Sequence, residues 1–121
     1  MAEKLFTPEL ANAALPLVRS IVEDLVAAEV RLRDLAATYR ELKARPDKPQ
    51  VELNETRTAI TRHARERDAC TAELGQLGVR VGDPAAGICD FPAELDGERV
   101  YLCWELGEDA VEHFHGRDEG Y

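Results

Sequence analysis

Apolar residues recur at helical spacing through the first two thirds of this chain and alternate like a strand afterwards. That change of period is its main architectural signal. From Leu10 the apolar positions Ala14, Leu17, Ile21, Leu25, Ala28, Leu32, Leu35, Tyr39 and Leu42 follow at steps of three and four residues, a coiled-coil seam with one extra step of four. Thr7 suits the cap, Pro8 the first helical position, and Phe6 the place of a hydrophobic staple. Pro16 lacks a backbone donor and crowds the preceding turn. The pattern therefore predicts a kink or break near Leu15 and an uninterrupted helix over 16–43, about 40 Å long. RPDKPQ (45–50) ends it. A second helix is predicted over 51–77 on a poorer seam of Leu53, Ile60, His63 or Ala64, Cys70, Leu74 and Leu77, stopped by Gly78.

Beyond Gly78 the period shortens. ICDF (88–91) and RVYLCWEL (99–106) flank the turn signal Asp96-Gly97 and predict a β-hairpin. Val100, Leu102, Trp104 and Leu106 fall on one face of the second strand, and Tyr101, Cys103 and Glu105 on the other. After Gly107, EDAVEHFHG predicts a short closing helix with acids in its first turn. The expectation is a single α+β domain over 1–121: a long antiparallel helical hairpin (8–77), then a small antiparallel β-hairpin and a short C-terminal helix (78–121). A lone helical hairpin covers its apolar stripe on one side only. A homodimer pairing two hairpins into a four-helix arrangement is therefore expected.

Charge changes the picture in one place. The 121-residue chain carries a formal charge of −9. Residues 78–121 hold three basic and eleven acidic groups, while the two preceding thirds are close to balanced. Such a balance argues against nucleic acid and against anionic lipid as partners. No apolar run is long enough to span a membrane, and MAEKLFTPEL has none of the marks of a signal peptide, so a cytoplasmic protein is expected. Cys70, Cys89 and Cys103 are odd in number and show no C-x-x-C pairing. They read as free thiols, and a thiolate-based structural zinc site is discounted. Glycine-rich phosphate loops, G-x-S-x-G elbows and H-E-x-x-H helices are all missing, so no motif assigns a reaction.

The candidate chemistry lies in the acidic last third. On a helix, Glu108, Glu112 and His115 stand at i, i+4 and i+7, and Glu112-x-x-His115 is the spacing that presents a carboxylate and an imidazole to one ion. Asp118 or Glu119 would close the shell from the loop after Gly116, with Asp90 as an additional ligand from the strand. His113 lies off that stripe, and His63 would have to reach across from the helical hairpin, so both are only additional candidates. Crowded carboxylates raise one another's pKa unless a cation sits among them. These donors suit a divalent or trivalent ion; zinc, iron, manganese and nickel are not distinguished. The plain alternative is a solvated acidic tail, since a single E-x-x-H falls short of the paired motif of di-iron bundles. Cys103 reads as a small buried residue and Trp104 as core.

FTPELANAALPLVRSIVEDL, ELGQLGVRVGDPAAGICDFPAELDGERVYLCWELGED and HFHGRDEGY together resemble an uncharacterised bacterial family, the domain of unknown function 2203. The resemblance spans both ends of the chain and implies a fold and a site position, with no reaction attached. The polar positions it implies are Asp90, Glu94, Cys103, Glu108, His115, Asp118 and Gly120. Cys89 stands where an aliphatic residue is usual, and His113 where an aromatic is. Two functions follow as expectations: a cytoplasmic metal-binding protein, or a non-catalytic homo-oligomeric interaction module built on the helical hairpin.

Overall fold

The computed structural model describes residues 4–116. Two helices, α1 (Pro8–Ala44) and α2 (Gln50–Gln76), precede four strands: β1 (Arg80–Asp83), β2 (Ile88–Leu95), β3 (Glu98–Glu105) and β4 (His113–Gly116). The strands form one antiparallel sheet in the order β1-β2-β3-β4. The α+β class and the helical hairpin are as expected. No helix among the described residues is long and apolar enough to cross a membrane.

At the start of α1 the Thr7 hydroxyl accepts the Leu10 N–H at 3.1 Å, and Pro8 opens the helix. Phe6 does more than staple. Its N–H donates to the Pro92 carbonyl at 2.7 Å, and its ring meets Phe91 edge-on at 5.1 Å, which ties the helix entry to the sheet. Of the kink or break expected near Leu15, the break is absent: α1 runs unbroken through Pro16. Pro16 lies on the solvent side, where water can take up the carbonyl it leaves unpaired, while Leu15 and Val18 on either side are anchored in the core.

The predicted seam of α1 is displaced over its first turns, up to Leu17, whereas Ile21, Leu25 and Ala28 are buried as expected. Ala11, Leu15, Val18, Val22 and Leu25 are buried, and Leu10 and Leu17 are exposed. These buried residues pack with Cys70 and Leu74 of α2 and with Phe91, Leu102 and Trp104 of the sheet in a single core. No residue of α1 beyond Ala28 is fully buried, so the far end of the hairpin stands clear of that core.

The β-hairpin forms as expected. Asp96 (φ 53°) and Gly97 (φ 80°) make the two-residue turn, and Leu95 faces Glu98. Cys89, Phe91 and Ala93 of β2 pair with Trp104, Leu102 and Val100 of β3 on the helix-facing side. Gly87 is required by its surroundings: φ is +73°, and a Cβ there would come within 2.8 Å of the Leu106 Cβ.

The predicted closing helix is a correction. Residues 113–116 are strand, and 106–112 form a loop fixed to α1. Asn12 takes both backbone groups of Val111: its Oδ1 accepts the Val111 N–H at 2.7 Å, and its Nδ2 donates to the Val111 carbonyl at 3.2 Å. The Trp104 indole donates to the Glu108 carbonyl at 3.0 Å, and the Glu108 carboxylate accepts the Glu105 N–H at 2.7 Å. These bonds take up the Glu108 carbonyl and both backbone groups of Val111, which a helical ladder through 108–112 would need.

Candidate metal centre

The face of the sheet turned away from the helices carries the polar chemistry. Two-residue alternation and the hairpin register set Asp90 of β2 directly opposite Cys103 of β3. β4 then adds along β3, with Cys103 opposite His113 and Tyr101 opposite His115. One carboxylate oxygen of Asp90, the Cys103 sulfur and a ring nitrogen of His115 all lie within 4.8 Å of one another. Each of three adjacent strands thus offers one donor atom to the same point, as a small sheet must to present an ion site.

The three groups are well shielded for a face turned away from both helices. Cys103 is 2% exposed, and the side chains of His115 and Asp90 are 12% and 14% exposed. His115 Nε2 lies 3.2 Å from Asp90 Oδ1, and its Nδ1 lies 2.8 Å from the Gly116 carbonyl. Both ring nitrogens thus face acceptor oxygens, and a neutral ring donates to only one of them; donation from Nδ1 to Gly116 is the tautomer in which Nε2 would serve a metal. The Cys103 thiol is pushed up to about 12 by burial, then by the hydrogen bond to Asp90 and the negative charges of Asp90 and Glu108. Without an ion it is a neutral thiol that also reaches the Tyr101 carbonyl at 3.8 Å.

Tyr101 and Arg80 border the cluster. The Tyr101 ring lies 5.4 Å from the His115 ring, tilted by 36°. Arg80 of β1 lays its guanidinium 4.6 Å from the Tyr101 ring centre and donates to the Tyr101 hydroxyl.

The residues expected as ligands divide. His115 and Asp90 enter the cluster, Asp90 as a full member. Glu108 is drawn off into the turn after β3, its other oxygen 3.6 Å from the His113 ring. Glu112 is exposed and outside β4, so the i, i+3 pairing with His115 does not form. His113 stands opposite Cys103 in the register but is 62% exposed, with its Nε2 3.6 Å from the Glu108 carboxylate, and it is not a member of the cluster. His63 belongs to the helical layer, where its Nδ1 meets Glu66 at 3.1 Å. Asp118 and Glu119 lie outside the described residues. Cys103, read from the sequence as a mere packing residue, is the candidate ligand that reading missed.

Over residues 4–121 the chain matches an uncharacterized conserved protein family, DUF2203, and it belongs to that family. No curated protein and no solved structure matches it.

Proposed function

We propose that this member of the DUF2203 family binds a divalent transition-metal ion through Asp90, Cys103 and His115. The observation that carries the reading is the convergence of a carboxylate oxygen, a sulfur and an imidazole nitrogen within 4.8 Å on three adjacent strands. A tetrahedral ion with bonds of about 2.0–2.3 Å holds its ligand atoms about 3.5 Å apart, so closing the site asks for side-chain movements of order 1 Å. Sulfur among the ligands favours zinc or iron(II) over manganese, which prefers oxygen. Three protein ligands leave a fourth position for water or a bound molecule, the pattern of reactive sites as opposed to closed structural ones. A reducing, cytoplasmic setting would keep the thiol available.

The contrasting account is a metal-free network in which His115 pairs with Asp90 beside a neutral thiol. Metal analysis of protein purified without a histidine tag separates the two. The proposal expects near-stoichiometric zinc or iron in the parent and loss of it in Asp90→Asn, Cys103→Ala and His115→Ala, with circular dichroism showing that the variants remain folded. A parent that holds no ion and takes none up on titration contradicts it.

A homodimer through the helical hairpin is a second proposal, compatible with the first. Beyond Ala28, Leu32, Leu35 and Leu42 of α1 are only half-buried, and Val30 and Val51 are exposed. A second hairpin would cover them. Light scattering that returns a monomer at micromolar concentration removes this idea and leaves the metal proposal standing.

A further inference from the structure

The last third of the chain is strongly acidic, yet one of its few cations is held beside the cluster. Arg80 is placed twice over, by stacking on the Tyr101 ring and by donating to the Tyr101 hydroxyl. Tyr101 in turn lies against His115. Arg80 also stands directly opposite Asp90 in the sheet, a position where an ion pair would be ordinary. Among the described residues it forms no ion pair with any carboxylate. The Asp90 carboxylate is instead turned towards His115 through Oδ1, while its Oδ2 faces Gly82, 3.6 Å from where a Cβ would sit. Gly82 has no side chain to cover that edge.

We infer that this centre takes a small carboxylate-type monoanion, with one oxygen on the metal at its open position and the other on the Arg80 guanidinium. The inference rests on the metal reading above. Asp90 and a Cys103 thiolate together balance a divalent ion and leave the centre neutral. Arg80 then adds one positive charge beside it, which favours an anion over a neutral ligand, while the Glu108 carboxylate that acts on Cys103 disfavours a second negative charge. Arg80 spends one of its five N–H groups on Tyr101, so an edge of its planar fork remains for a carboxylate. Tyr101 is a positioning residue here: it touches neither ion nor anion but fixes the guanidinium.

The experiment uses the full chain loaded with cobalt(II), whose visible spectrum reports coordination, and titrates acetate at constant ionic strength with perchlorate as the non-coordinating control. The expected result is a saturable spectral change with acetate and none with perchlorate. Arg80→Gln should weaken acetate roughly tenfold or more, the effect of losing one charge-assisted hydrogen bond, and Tyr101→Phe should weaken it in the same direction. Both variants should still take up cobalt, since neither residue is a metal ligand. No acetate response in cobalt-loaded parent protein, an equal response to perchlorate, or an Arg80→Gln variant that binds acetate like the parent each overturns the inference and leaves the metal site intact. Failure of the parent to take up cobalt at all removes the metal reading and this inference together.

Discussion

Asp90 Oδ1 and His115 Nε2 lie 3.2 Å apart, although the two residues are 25 positions apart in sequence and sit on strands separated by β3. Their contact passes over β3, which presents the Cys103 thiol on the same face within 4.8 Å of both. A carboxylate and an imidazole bracketing a buried thiol make a compact donor set, and its consequences can be measured.

The first concerns pH. With no ion bound the Cys103 thiol is raised to about 12, whereas a coordinating sulfur is deprotonated, so binding below that pH must release the thiol proton. Apparent affinity should therefore rise about tenfold per pH unit through the neutral range. Calorimetry in buffers of different ionisation enthalpy should count about one proton released per ion from this source. In the ion-free protein the same displacement, from 9.0 upward, acts on stability with the opposite sign. The folded state holds the proton longer than the unfolded chain, so stability is full below about 9 and falls as pH rises towards 12.

Substituting the two glutamates should give different outcomes, neither of them loss of metal. Glu112 is exposed, and Glu112→Ala should change stability by no more than about 0.5 kcal/mol and leave metal uptake unaltered. Glu108→Ala removes the acceptor of the Glu105 N–H and should cost about 1 kcal/mol in urea unfolding. If Glu112→Ala abolished uptake, the helical ligand set would be restored and the strand-borne one refuted.

Asn12 connects α1 to the entry of β4 through both backbone groups of Val111. Asn12→Ala leaves a part-buried N–H and carbonyl without those partners and should destabilise by roughly 1–3 kcal/mol. Because β4 carries His115, metal affinity should fall in the same variant, although Asn12 touches no ligand. A variant with wild-type affinity would show that β4 is held by its pairing with β3 alone.

Gly87 offers a check on the fold independent of any ion. Its φ is positive, and a Cβ added there would approach Leu106 to 2.8 Å, so Gly87→Ala strains the backbone and displaces a core side chain together. A loss of more than about 1 kcal/mol is expected in urea unfolding.

Much of the site was legible in the sequence, and the rest was hidden for identifiable reasons. A two-residue turn at Asp96-Gly97 fixes Leu95 opposite Glu98, and counting back from it puts Asp90 opposite Cys103. Alternation puts Cys103 on the face away from Trp104, so its place beside Asp90 was available from the sequence alone. β4 was not available in this way. The spacing of EDAVEHFHG is compatible with a helix, and what overrides it is Asn12, 99 residues away. The shifted seam of α1 has a similar cause. Leu10-Ala14-Leu17 and Ala11-Leu15-Val18 share the same steps, and only the sheet packed against the second set decides between them.

Whether Asp90, Cys103 and His115 hold one ion can be read from X-ray absorption at the metal edge of the zinc-loaded, untagged protein. The predicted spectrum has one sulfur neighbour at about 2.3 Å and two or three nitrogen or oxygen neighbours at about 2.0–2.1 Å, with the sulfur lost in Cys103→Ser. A shell of nitrogen and oxygen alone in the parent protein would contradict it.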